Sequence, residues 1–133
     1  MGEFTEAPVE LLHAAALRVL EDDGRQTELS VTLVSDEEIT GLNRQYLERD
    51  RTTDVIAFSL GQHEAPLGDV YVCVDQARRQ AAEEGVSFEE ELVRLLIHGA
   101  LHVLGHDHPE GTERMQSPMY VLQECMVVEV LEG

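Results

Sequence analysis

Residues 87–105 constrain the chain more than any other stretch. Ser87 and Glu90 are spaced as a capping box, Phe88, Leu92, Leu95, Leu96 and Val103 form one apolar stripe at helical spacing, and Gly105 can end the helix in a left-handed conformation. A long helix with such a stripe must lie against a core. Its C-terminal half opens the run HGALHVLGHDH, residues 98–108, which holds four of the six histidines of the chain. His98 and His102 are four apart, so their rings leave the same helix face roughly 6 Å apart and can converge on one ion.

Beyond Gly105 the chain has room to fold His108 back toward that ion. His106 is the competing third ligand, but a helix continuing from His98 would carry it about 12 Å along the axis, so His108 is favoured. Three neutral imidazoles and an open fourth position match a catalytic zinc site with one ion and a bound water, since structural sites are usually closed by four protein ligands. Zinc lowers the pKa of such a water to about 7 and polarises a carbonyl or phosphoryl oxygen, which points to hydrolysis. The spacing H-x3-H-x2-G-x2-H is that of metzincin-type metalloproteases. Those enzymes carry Glu directly after the first His as general base, whereas this chain has Gly99 there, and Glu91 and Arg94 are poorly placed to replace it.

The rest of the chain reads as the scaffold for that helix. Residues 8–23 predict a helix starting at Pro8 and stopping at Gly24, and 28–34 a strand with Leu29, Val31 and Leu33 on one side. Ser35 and Glu38 form a capping box for a helix to about Tyr46. After a polar loop, DVIAFSL and LGDVYVCV read as two paired strands, and 75–84 as a helix closed by Gly85. Residues 112–131, with Met115, Met119, Leu122, Met126 and Val130 in step, read as a closing helix. The expectation is a single domain over residues 1–133 of class α+β: a small mixed sheet covered by helices, with the zinc site on the long helix and the following turn. A chain of this length can bury roughly two-thirds of its unfolded surface, enough for one core.

Charge and cysteines narrow the setting. Twenty-seven acidic residues against nine basic ones, all nine of them Arg, give a formal net charge of -18. That balance argues against generic nucleic-acid binding, because phosphate affinity normally comes from clustered cations, and any such role must rest on a local site. Adaptation to high salt and a codon preference for Arg both account for the acidic, lysine-free composition. Cys73 and Cys125 sit in apolar stretches and are expected as free, buried thiols. The N-terminus lacks a secretory signal and no segment reaches the ~20 apolar residues of a membrane span, so a soluble, cytoplasmic protein is expected.

HGALHVLGHDH resembles the H-G-x-L-H-x-x-G-x-D-H signature of the YbeY family of bacterial endoribonucleases, with Gly99 and Asp107 matching as well as the histidines. Leu42 and Asn43, Thr53, Asp54 and Val55, Phe58, Gly68, Asp69 and Val70, Glu91 and Leu92, and Met115 fall in the family's order, so the resemblance covers residues 29–120. It implies a zinc-dependent nuclease that cleaves single-stranded RNA, matures the 3′ end of 16S ribosomal RNA and contributes to ribosome quality control. His98, His102 and His108 would then be the metal ligands, and single-stranded or ribosomal RNA, the ribosome and ribosome-associated proteins the partners.

Two departures stand out. Family members often carry Arg after the Tyr of the Asn-x-x-Tyr segment, where this chain has Leu47 after Tyr46; Arg49 or Arg51 in the same loop can grip a phosphate with both guanidinium arms, or the function is missing. Ala57 and Ser59 replace the usual Ser and Pro without evident effect on chemistry. Asp54 and Asp69 are candidates for orienting a ligand histidine or a turn, and Asp107 for fixing the turn before His108. Two other functions fit parts of the pattern: a zinc peptidase or amidase, and a non-catalytic ribosome-associated protein that uses zinc only for folding.

Overall fold

The computed structural model of the protein describes residues 8–24, 28–47, 54–59, 67–105 and 118–132. Helix α1 (Val9–Asp23) starts as the Pro8 carbonyl accepts from the Leu12 N–H and ends at Gly24, whose φ of 75° lets its N–H reach back to the Leu20 carbonyl. Strand β1 (Glu28–Val34) runs into α2 (Asp36–Leu47) through the expected capping box: Ser35 Oγ accepts from the Glu38 N–H at 3.2 Å and Glu38 Oε1 from the Ser35 N–H at 3.0 Å. Strands β2 (Val55–Ser59) and β3 (Leu67–Cys73) follow, then α3 (Val74–Glu84), stopped by Gly85 at φ 71°. Helices α4 (Phe88–Val103) and α5 (Pro118–Glu132) complete the order.

The sheet is mixed, as expected, in the order β1-β3-β2. β3 pairs in parallel with β1, placing Val31 opposite Val70, and antiparallel with β2, placing Ile56 opposite Tyr71. Period-two alternation sends successive residues of β3 to opposite faces. Val70 and Val72 join a core with α1, α4 and α5, while Cys73 packs with Val34, Ile39 and Ile56 beneath α2. Phe58 and Tyr71 meet edge to face on that second side, with ring centroids 6.0 Å apart.

Helix α4 is more deeply enclosed than a single stripe suggests. Val93, Ile97, Ala100 and Leu101 are buried along with Leu92, Leu95, Leu96 and Val103, because β2 and β3 flank it on one side and α1, α3 and α5 on the others. Both cysteines are free, but only Cys73 is buried; Cys125 is exposed, since it lies on the outer side of α5 while Met119 and Met126 face inward. The part of the closing helix expected over 112–117 lies outside the described residues. No helix among the described residues is long and apolar enough to cross a membrane.

Candidate metal centre

The site forms at the C-terminal end of α4 and depends on how closely that helix approaches the sheet. Gly99 is buried, and a Cβ built on it would stand 2.7 Å from Val70 Cγ1 and 2.9 Å from Val55 Cγ2. Gly68 serves the same purpose from the strand side, where a Cβ would collide with both methyl groups of Val103. Ser59 Oγ adds a tie by donating to the Val103 carbonyl at 3.2 Å. The helix then ends as Leu104 and Gly105 donate to the carbonyls of Ala100 and His102, with Gly105 at φ 98° as its sequence position predicts.

On this anchored helix His98 and His102 turn toward each other. Their Nε2 atoms lie 3.2 Å apart and their rings cross at 80°, with centroids 4.6 Å apart. Two imidazole nitrogens on one tetrahedral zinc, each at about 2.05 Å, would sit about 3.3 Å from each other, so the donor pair has the separation the ion requires. The final turn of a helix also concentrates partial negative charge, which favours a cation there.

Behind the histidines runs a polar network that joins three helices. His98 Nδ1 meets Gln123 Oε1 at 2.7 Å, and Gln123 Nε2 donates to Glu124 Oε2 at 3.0 Å. Arg94 donates to Glu124 with two arms, to Glu91 and to Glu90, all at 2.9 Å, and Gln80 on α3 donates to the other oxygen of Glu91 at 2.8 Å. Burial opposes ionisation of Glu124, but the hydrogen bonds from Arg94 and Gln123 outweigh it and hold its carboxyl below the ordinary range.

Asp36, Cys73 and Asp75 are a second group whose ligand atoms lie close enough to hold a metal, all within 4.8 Å of one another. Each of the three already takes part in a hydrogen bond centred on Asp36. Arg79 grips both Asp36 oxygens, at 2.8 and 2.6 Å, Asp75 Oδ2 accepts from the Asp36 N–H at 2.8 Å, and the Cys73 thiol donates to Asp36 at 3.3 Å. Burial pushes that thiol up to about 11, so it is not a thiolate at neutral pH.

Of the residues expected from the sequence, His98 and His102 come together; His106, His108, Asp107, Arg49 and Arg51 lie outside the described residues. The carbonyl of Asp54 accepts from the Cys73 N–H at 2.8 Å, and Asp69 lies in β3 opposite Phe58. Glu91 and Arg94 belong to the network behind the histidines rather than to the metal-facing side.

A scan against family models matches Endoribonuclease YbeY over residues 3–129. The chain belongs to the YbeY endoribonuclease family. It is 46% identical over 112 residues to the Endoribonuclease YbeY of Syntrophotalea carbinolica, covering 79% of this chain and 75% of that protein. It is 47% identical over 89 residues to that of Aquifex aeolicus, covering 65% and 59%. The match thus spans three-quarters of the first relative but under two-thirds of the second. The solution structure of a Thermotoga maritima protein, 32% identical, superposes with a TM-score of 0.72, covering 99% of this chain and 86% of that one.

As a YbeY family member the chain departs from the metzincin pattern for a packing reason as well as a chemical one. Position 99 faces Val70 and Val55, so a glutamate placed there would enter the sheet rather than reach the ion. Gln123 is the functional candidate that sequence reading missed. The signal was present, since it shares the buried side of α5 with Met119 and Met126, where an uncharged polar residue needs a partner.

Proposed function

We propose that this YbeY family member is a zinc-dependent endoribonuclease that cleaves single-stranded RNA, acts in maturation of the 3′ end of 16S ribosomal RNA, and works with the ribosome in the cytoplasm. The observation that carries the reading is the 3.2 Å approach of the His98 and His102 Nε2 atoms at the end of an anchored helix. His108, which lies outside the described residues, would complete the ligand set. Bound zinc would supply a water of pKa about 7 and a Lewis acid for a phosphoryl oxygen.

The chain's own residues then have to bind and orient RNA against a net charge of -18. Arg18, Arg79 and Arg94 are each paired with carboxylates, and Arg78 stacks over Phe88 at 4.1 Å. With these four engaged elsewhere, Arg49 and Arg51, near the position where family members often carry Arg, are the phosphate-gripping candidates and would neutralise charge developing on the scissile phosphate.

The test is cleavage of a single-stranded RNA by purified protein and by His102→Ala, each with measured zinc content. The expected result is cleavage that tracks zinc and is lost in the variant. Equal cleavage by both proteins would overturn the reading.

A further inference from the structure

The buried residues of α5 are Met119, Gln123, Met126 and Val127, of which only Gln123 is polar. Burying a primary amide is unfavourable unless both of its ends are hydrogen-bonded, and here both are. The NH2 end faces Glu124 Oε2 at 3.0 Å and the oxygen faces His98 Nδ1 at 2.7 Å. This orientation follows from the neighbour. The Glu124 carboxylate is clamped by two arms of Arg94, and an ionised carboxylate can only accept, so the amide must present nitrogen to Glu124 and oxygen to His98.

An amide oxygen likewise only accepts, so His98 Nδ1 must carry the proton. A neutral imidazole protonated at Nδ1 has its lone pair at Nε2, the atom that approaches His102. Histidines that ligate metals are generally held this way, their other ring nitrogen donating to an acceptor that sets tautomer and ring plane. Here the acceptor comes from a different helix.

We propose that Gln123, backed by Glu124 and Arg94, is a positioning residue that sets the Nδ1–H tautomer of His98 and aims its Nε2 lone pair at the metal position; this rests on the metal-site reading given above. The arrangement makes the docking of α5 on α4 part of the metal site. Arg94 fixes Glu124, Glu124 fixes the amide, and the amide fixes the ring.

Two measurements test it, and neither needs nuclease activity. In metal-free wild-type protein, above the imidazole titration range, long-range proton–nitrogen spectra should show His98 protonated at Nδ1 and bare at Nε2. Competition with a chromophoric chelator should show zinc bound about 10- to 100-fold more weakly by Gln123→Met, which removes the acceptor with little change of volume. The same variant should lose the fixed tautomer. The inference is overturned if wild-type His98 carries its proton on Nε2, a result that needs no variant to fold, or if Gln123→Met binds zinc as tightly as wild type. Wild-type protein that fails to bind zinc overturns the metal reading itself and this inference with it, a pattern distinct from tight binding by both proteins.

Discussion

Arg94 on α4 and Glu124 on α5 are joined by two parallel hydrogen bonds, Nε to Oε2 and Nη2 to Oε1, each 2.9 Å long. The same guanidinium holds the buried Glu91 and the partly buried Glu90. Replacing it with Met leaves three carboxylates facing one another without a cation. Because breaking a buried pair strands an uncompensated charge, Arg94→Met should destabilise the fold by about 3 kcal/mol or more. The pH dependence has a definite sign. The folded-state pKa of Glu124 is depressed below 4.5, so its contribution is complete above that value and is lost as pH falls through the lower folded value. The deficit of Arg94→Met should therefore shrink below pH 4.5, which urea midpoints of both proteins at neutral and acid pH will read.

Gly99→Ala tests the close approach of α4 to the sheet. Alanine is the better helix former by about 1 kcal/mol, so an exposed site would gain stability. Here the added methyl would stand 2.7 Å from Val70 Cγ1 and 2.9 Å from Val55 Cγ2, on stiff β-branched side chains. Overpacking of this kind costs about 1–3 kcal/mol, enough to cancel the helix gain. A lower denaturant midpoint is expected, and a higher one would show that α4 can lift from the sheet without penalty.

The local signals were legible in the chain because they are short-range. Ser35 with Glu38, Gly24, Gly85 and Gly105 mark helix ends through chemistry confined to a few residues, and each is found where its position implied. The His98 and His102 pair is equally local, fixed by one helical turn. What could not be read was contact between distant segments. That Gly99 meets Val70, or that Gln123 meets His98 across 25 positions, depends on how α4 settles against β3 and α5. The exposure of Cys125 was hidden for the same reason: α5 is apolar nearly all round, with Val121 and Val128 exposed as well, so hydrophobicity alone did not say which side faced inward.

Cys73 and Cys125 should separate cleanly by reactivity. A thiol reagent at neutral pH is expected to modify Cys125 in the folded protein and Cys73 only on unfolding, because Cys73 is buried and its thiol is pushed up to about 11, first by burial and further by Asp36. Its folded pKa lies above the ordinary 9.0, so the folded state retains a proton the unfolded chain releases. Stability from this source is complete below pH 9.0 and declines as pH rises toward about 11. Cys73→Ala should lack that alkaline decline, visible as converging unfolding midpoints of variant and wild type with rising pH.

Zinc should stabilise the fold in proportion to its binding, and the pattern of loss identifies the ligands. An ion that binds only the folded state adds about 2.7 kcal/mol when its free concentration is a hundredfold above its dissociation constant. Wild-type protein should show that gain as a higher denaturant midpoint in zinc, and His98→Ala and His102→Ala should lose it. His108→Ala should lose it as well while His106→Ala keeps it, because only His108 is expected to fold back toward the pair. Cys73→Ala must also keep it if the Asp36, Cys73 and Asp75 group is held by its own hydrogen bonds, with Arg79 on Asp36, rather than by a metal. A zinc-dependent gain that survives His102→Ala but disappears with Cys73→Ala would move the metal centre to the other face of the sheet.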